Sequence, residues 1–260
     1  MKIISWNLNS IRAREEQLLQ ILKKEKPDFL CLQETKVTNQ SFPEEQIKKL
    51  HYFIFKNGMA SYNGVAILSK HNIENYNINN FCGKSDCRHI ELIYKKVKIH
   101  SIYVPAGGDE PDPVRNEKFD HKLKFLDEMS IFFTKNKNHN HIICGDLNVA
   151  PFEDDVWSHK SLRNVVSHTE IEREKILKIL ETCNFEDTVR KFIAPPKNVF
   201  TWWSYRSPDF SVNNRGRRLD HIWISKNSFL KSNSASIMKD YRKMIKPSDH
   251  VPICANISIR

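Results

Sequence analysis

Residues 28–36 read Asp28-Phe29-Leu30-Cys31-Leu32-Gln33-Glu34-Thr35-Lys36. A short apolar run bounded by polar residues has the length of a strand buried in a sheet. This one ends by presenting a carboxylate, Glu34, and an ammonium, Lys36. The same pattern recurs along the chain. Lys2 to Asn7 leads into Trp6-Asn7-Leu8-Asn9, Ile142 to Cys144 into Gly145-Asp146-Leu147-Asn148, and Ser248-Asp249-His250 opens Val251 to Ile253. Polar groups at strand ends converge on one rim, which is where sheets place chemistry. These scattered motifs therefore predict a single site.

Strand and helix signals alternate outward from that stretch, with no low-complexity linker and no short repeat. Ser10 is expected to cap a helix running to about Glu25, with Ile11, Leu18 and Leu22 on one stripe and Pro27 beyond its end. Gly64 to Ser69, His89 to Tyr94 and Val97 to Tyr103 read as strands, the last two as a hairpin around Lys95-Lys96. Asn116 to about Phe133 reads as a helix and His141 to Cys144 as a strand. Thr169-Glu170-Ile171-Glu172 has capping-box form and opens a helix with Ile176, Leu177, Leu180 and Cys183 on one face. Arg218 to Ser225 and Val251 to Ile259 read as closing strands. Each half begins with strands, inserts helices and delivers polar motifs at strand ends. The expected class is α/β, a two-sheet sandwich with outer helices, forming one domain over residues 1–260.

Hydrophobic residues make up 40% and charged residues 28% of the 260, which places the chain among ordinary globular proteins. Lys and Arg exceed Asp and Glu by 41 to 31, a formal charge of +10. An acidic cluster inside a basic protein points to a basic rim that gathers a polyanion. AT-rich coding would also raise Lys, Asn and Ile, but it does not place Arg215, Arg217 and Arg218 just before Asp220. The six cysteines form no C-x-x-C pair. Cys31, Cys144 and Cys254 lie in apolar strand patterns; Cys82 and Cys87 share a loop and could pair, but reduced thiols of a reducing compartment are expected. No secretory signal is read at the N-terminus, and no apolar run reaches membrane-spanning length.

Carboxylates gathered at a rim repel one another and raise each other's pKa unless a cation neutralises them. Mg²⁺ takes one or two protein carboxylates and completes its shell with water and phosphate oxygens. An all-oxygen donor set without cysteine suits Mg²⁺ or Mn²⁺ better than Zn²⁺. The motifs together predict metal-assisted hydrolysis of a phosphodiester.

The ordered set Leu32-Gln33-Glu34-Thr35-Lys36, Tyr103-Val104-Pro105, Gly145-Asp146-Leu147-Asn148, Arg218-Leu219-Asp220 and Pro247-Ser248-Asp249-His250-Val251-Pro252 resembles the exonuclease III family of apurinic/apyrimidinic endonucleases, within the wider endonuclease–exonuclease–phosphatase superfamily. The resemblance runs the length of the chain. It implies a four-layer αββα sandwich of two pseudo-symmetric lobes, with mixed, mainly antiparallel sheets. It implies a Mg²⁺-dependent enzyme (Mn²⁺ being the alternative) that cleaves double-stranded DNA on the 5′ side of an abasic site and leaves a 3′-OH. Accompanying 3′→5′ exonuclease and 3′-phosphodiesterase activities are implied as well. The partner would be duplex DNA with abasic sites or 3′ ends, and the protein a monomer of bacterial-type cytoplasm.

On that reading Glu34 is the direct metal ligand, with Asn7 and Asn9 beside it and Asp249, Asp146 and Asn148 completing the metal environment. Some family members carry Asp at the position of Asn9. Asp146 orients or deprotonates water, and Asn148, on the same face of an extended segment, holds that water or a phosphate oxygen. Asp220 fixes the tautomer of His250 and favours its charged form, giving a donor to the phosphate. Tyr103 offers its hydroxyl to the same group. Lys36, Arg115 and Arg206 are expected at substrate, and Trp202, Leu219 and Arg217 at a pocket for an extruded abasic sugar. Two departures from the family stand out: Arg217, where an aromatic residue or leucine is usual, and the acidic loop Pro105 to Pro113. His139-Asn140-His141 reads as structural. A phosphoinositide or sphingolipid phosphodiesterase on the same scaffold, or a silent nucleic-acid-binding relative, would be the alternatives. The intact polar motifs weigh against the latter.

Overall fold

The computed structural model describes residues 1–206, 210–226 and 228–259. Ser207, the last residue of the aromatic stretch that begins at Phe200, lies outside them. The strands are β1 (Lys2–Asn7), β2 (Phe29–Gln33), β3 (Phe53–Asn57), β4 (Val65–Ser69), β5 (Tyr76–Asn77), β6 (His89–Tyr94), β7 (Val97–Tyr103), β8 (Asn140–Asp146), β9 (Phe185–Asp187), β10 (Asp220–Ser225), β11 (Leu230–Ile237) and β12 (Ile253–Ile259). They form two six-stranded sheets, in the orders β11-β12-β1-β2-β4-β3 and β5-β6-β7-β8-β10-β9. Each has one parallel pair at its centre, β1 with β2 and β7 with β8, and antiparallel pairs elsewhere.

The helices are α1 (Glu15–Glu25), α2 (Glu44–Lys49), α3 (Glu117–Lys135), α4 (His159–Leu162), α5 (Glu170–Thr182), α6 (Thr188–Phe192) and α7 (Phe210–Asn213). Parallel strands need a crossover, and α1 supplies it between β1 and β2 while α3 supplies it between β7 and β8. The two lobes are thus pseudo-symmetric, and the ends of all four central strands meet on one rim.

Strand periodicity explains the layers. Successive residues face opposite sides of a sheet, so Ile3, Phe29, Cys31, Val65 and Ile67 point inward to meet Ile90, Ile99, Ile142, Cys144 and Ile222 between the sheets. Their neighbours Ile4, Trp6, Leu30, Leu32 and Leu68 pack outward against Leu18, Ile21, Leu22 and Ile47 of α1 and α2. On the other sheet Ile102, Ile143 and Trp223 pack against Phe125, Met129, Phe133, Ile176 and Ile179 of α3 and α5. With both faces covered, the central strands read as continuous apolar runs. Gly145 is forced by this packing: a Cβ there would stand 2.0 Å from the carbonyl oxygen of Ile102.

A polar ladder crosses the outer face of the second sheet. His89 Nε2 lies 3.0 Å from His100 Nδ1, and His100 Nε2 lies 2.9 Å from His141 Nδ1. The backbone N–H of Asn79 donates to His89 Nδ1, and the carbonyl of Asn136 accepts from His141 Nε2. A donor at one end and an acceptor at the other fix one tautomer throughout, with each ring protonated on Nε2. His139 is exposed, and His141 is buried in the ladder.

The helix expected from Ser10 begins at Glu15 instead. Backbone N–H groups of Ser10 and Ile11 donate to the carbonyls of Glu34 and Thr35, which ties this segment to the end of β2 and delays the helix. Strands β3, β5, β9 and β11 and the short helices α2, α4, α6 and α7 were not expected.

Candidate active site

The rim is built from backbone held in unusual conformations. Asn9, Ser10, Glu34, Lys36 and Asn148 all have positive φ, between 47° and 93°. Such backbone costs of order 1–3 kcal/mol at a non-glycine residue, and cross-links from the other motifs hold it. Leu8 N–H donates to Gln33, Thr35 N–H to Gly64, Lys36 N–H to Asn63 and Leu147 N–H to Leu219. Gly64 has φ +87°, and a Cβ there would meet Thr35 Oγ1 at 2.2 Å. The sequence turns sharply just where each strand delivers its polar group.

His250 sits at the centre. Its Nδ1 lies 2.8 Å from Asp220 Oδ2 and its Nε2 3.6 Å from Asp146 Oδ2. Burial opposes the imidazolium, yet the Asp220 and Asp146 carboxylates outweigh it and raise the pKa of His250 to about 10. Burial has the reverse effect on Asp146. Aided by the charges of Asp220 and Glu34, and despite His250 and Asn7, it lifts that carboxyl to about 7. Asp220 Oδ1 is buried with no partner among the described residues.

Asn7 organises the carboxylates as a donor. Its Nδ2 donates to Glu34 Oε1 and to Asp146 Oδ2, both at 2.8 Å, while its Oδ1 accepts from the backbone of Asn9. Asn148 Nδ2 donates to Val104 O at 2.9 Å and Asp146 Oδ2 at 3.2 Å. Tyr103 donates its hydroxyl to Glu34 Oε1 at 2.8 Å. Burial, then the Glu34 and Asp146 charges, push its pKa far up, so it stays a proton donor. Glu34, Asp146 and His250 each offer an atom within 4.8 Å of the others.

The donor chemistry fits a cation. Lys36 Nζ lies 2.7 Å from Glu34 Oε2 and 2.5 Å from Asn9 Oδ1, so an ammonium already occupies the position of positive charge. Burial would raise the Glu34 pKa, but Lys36 and Asn7 together lower it. Asp249 stands to one side. Asn9 Nδ2 and Trp202 Nε1 each donate to it at 3.0 Å, and its pKa is lowered against the effect of burial by His250, Asn9 and Trp202.

The expected substrate residues divide. Trp202 and Leu219 join an apolar cluster with Ala150, Val156 and Leu162, and Trp203 is the core member of the tryptophan pair. Arg217 donates to Val166 O and Ser167 Oγ and lies over the Trp202 ring. Arg115 is not drawn into the cluster. It is exposed beside Glu110 and Asp112 of its own loop, at 3.8 and 3.6 Å. Arg206 is exposed at the surface.

One residue was missed. Lys122 is wholly buried, forms a 2.5 Å pair with Glu172 and donates to the carbonyl of Asn148 at 2.7 Å. Its signal was positional: it falls on the apolar face of α3 with Phe119, Leu123 and Leu126. Close behind the site lies a saturated ion network. Arg218 pairs with Asp155 and Asp187, and Arg190 with Asp155.

A model of the endonuclease/exonuclease/phosphatase family matches residues 4–250. The chain is similar to exodeoxyribonuclease III of Haemophilus influenzae, 31% identical with 98% of this chain and 99% of the relative covered. The structure of an AP endonuclease from Archaeoglobus fulgidus superposes with a TM-score of 0.91 at 32% identity, covering all of both chains. A 3′ phosphatase from Neisseria bound to product DNA hairpin superposes equally well, with a TM-score of 0.91 at 26% identity and 99% of each chain covered. Two mixed sheets between helices, a rim of carboxylates around one histidine and these full-length likenesses agree: the chain belongs to the endonuclease/exonuclease/phosphatase family, in its exonuclease III branch, and is a hydrolytic nuclease.

Proposed function

We propose that the protein is a Mg²⁺-dependent DNA repair nuclease that hydrolyses the phosphodiester 5′ to an abasic site in duplex DNA and leaves a 3′-OH. On this reading it also removes 3′-blocking groups and terminal nucleotides, and it works as a monomer in bacterial cytoplasm. The observation that carries the reading is His250, held as a cation between Asp220 and Asp146 at the rim of a basic protein. The names of the Archaeoglobus and Neisseria proteins support abasic and 3′-end chemistry respectively. No helix among the described residues is long and apolar enough to cross a membrane.

Each residue then has a task. Asp146, with its pKa lifted to about 7, takes a proton from the attacking water, which Asn148 helps to orient. His250 and Tyr103 donate hydrogen bonds to the phosphate oxygens as charge builds there. Glu34 would hold the metal, with Asn9 and Asp249 nearby and Asn7 bridging Glu34 and Asp146. A Mg²⁺ ion held there would supply charge neutralisation and Lewis-acid polarisation at the phosphate. The role of the protein is positioning and electrostatics, without a covalent intermediate.

The test is a labelled duplex carrying one tetrahydrofuran abasic analogue, incubated with Mg²⁺ or EDTA. A Mg²⁺-dependent nick immediately 5′ to the analogue, lost in Asp146→Ala, is the expected result. If folded, DNA-bound wild-type protein leaves intact both this duplex and one carrying a natural abasic site, the reading is sunk.

A further inference from the structure

Backbone bridges join His250 to Trp202, Trp202 to Arg217 and Arg217 to Val156. Directly paired residues of antiparallel segments present their side chains on the same face. His250, Trp202, Arg217 and Val156 therefore stand in a row, spaced by about 4.8 Å per step. A phosphate against His250 places its attached sugar roughly one to two steps along this row. That position is lined by the Trp202 ring, by Leu219 and Val156 of the apolar cluster, and by the guanidinium of Arg217.

An arginine is an unexpected wall for a base-less sugar, and its geometry is fixed. Nη1 donates to Val166 O at 2.9 Å and to Ser167 Oγ at 2.7 Å, and the guanidinium carbon lies 5.4 Å from the centre of the Trp202 ring. Ser167 is itself anchored, its N–H donating to both oxygens of Glu172, which is paired with buried Lys122. Those two acceptors occupy Nη1. Among the described residues, the Nη2 and Nε edge has no acceptor, and the side chain is only partly buried. A held guanidinium with an uncommitted donor edge is suited to a sugar oxygen.

We propose that Arg217 is a specificity-determining residue that donates a hydrogen bond to the C1′ hydroxyl of the abasic deoxyribose. The proposal rests on the abasic reading of the site. It separates a natural abasic site, which carries that hydroxyl, from the tetrahydrofuran analogue, which lacks it. A site built to hydrogen-bond a hydroxyl discriminates strongly against a substrate without one.

The experiment measures kcat/KM on otherwise identical duplexes carrying either lesion, for the wild-type protein, Arg217→Leu and Arg217→Lys. The wild type should favour the natural site by about 10- to 100-fold. Arg217→Leu should bring the ratio close to one, and Arg217→Lys should restore part of it. A merely structural role, through the brace to Val166 and Ser167, lowers both activities alike and leaves the ratio where it was. That outcome, or a wild-type ratio near one, overturns the assignment while the abasic reading stands. A wild type that cuts neither lesion overturns both.

Discussion

Arg218 and Asp220 stand two residues apart, both fully buried, and the protein treats their charges in opposite ways. Arg218 is saturated: Nε and Nη2 donate to the two oxygens of Asp155 at 2.9 and 2.8 Å, and Nη1 donates to Asp187 at 2.6 Å. Arg190 shares Asp155, so carboxylates and guanidiniums balance. Arg218 is driven further toward its charged form, and the Asp187 carboxyl is held far below its usual range. Asp220 reaches His250 with one oxygen, and its other oxygen has no partner among the described residues. Around it Asp146, Glu34 and Asp249 outnumber their cations, and the Asp146 pKa moves upward. A balanced buried network fastens a fold. An unbalanced one is a standing demand for an incoming cation and a substrate, and the Arg218-Leu219-Asp220 motif contributes one residue to each.

Breaking each side should have different consequences. Asp146→Ala should lower kcat by about 10³- to 10⁴-fold, with the urea midpoint unchanged or raised because a strained buried charge is gone. A stability loss in that variant would make the cluster structural after all. Arg218→Met should do the reverse kind of damage. Asp187 loses its arginine and Asp155 keeps only Arg190, at a cost of about 3–5 kcal/mol in urea unfolding; a loss below about 1 kcal/mol would remove the distinction.

A smaller effect sharpens the comparison. Mg²⁺ at ten times its dissociation constant should stabilise the wild type by about 1.4 kcal/mol. That gain should vanish in Glu34→Gln and persist in Arg218→Lys. Equal gains in wild type and Glu34→Gln would place the cation elsewhere.

The mildest test concerns the histidine ladder, a third buried polar array but an uncharged one. Burial lowers the pKa of His89 to about 3, and those of His100 and His141 are also lowered, by burial first. The unfolded rings bind protons near pH 6.5 and the folded ones do not. The stability they contribute is therefore present above pH 6.5 and is lost as pH falls from there toward 3. Urea unfolding from pH 7 to 4 should show that decline. His141→Phe should cost about 1 kcal/mol at pH 7 and flatten the slope; an unchanged slope would mean the ladder does not titrate as a unit.

Much of this was legible because buried strands and their polar ends leave dense local signals. The expected β1, β6 and β7 coincide with the observed strands, and the capping box at Thr169 opens α5 where expected. Strand β11 was illegible for a physical reason. Its sequence, Leu230-Lys231-Ser232-Asn233-Ser234-Ala235-Ser236-Ile237, covers a sheet edge with one face in water, so it lacks an apolar run. The start of α1 depends on hydrogen bonds to residues more than twenty positions away, which no local pattern encodes. Site membership was readable from the motifs, but donor direction was not. That Asn7 donates hydrogen bonds to both carboxylates depends on where β2 and β8 lie. Lys122 was hidden because a lysine on a helix usually reaches water, and only the packing of α3 on α5 denies it that.

The pairing of β1 with β12 has a consequence in time. Met1 N donates to Ile257 O, and Trp6 Nε1 donates to His250 O across 244 positions. A ribosome releases β1 long before its partner β12, so the first sheet waits, open on that side, while the residues between them are made. Glu34 emerges well before His250, and it has no such partner to face until the segment leading into β12 is made. Cutting power therefore arrives at a stroke, when the chain closes, and a polypeptide stalled before residue 250 carries no working blade to the DNA around it.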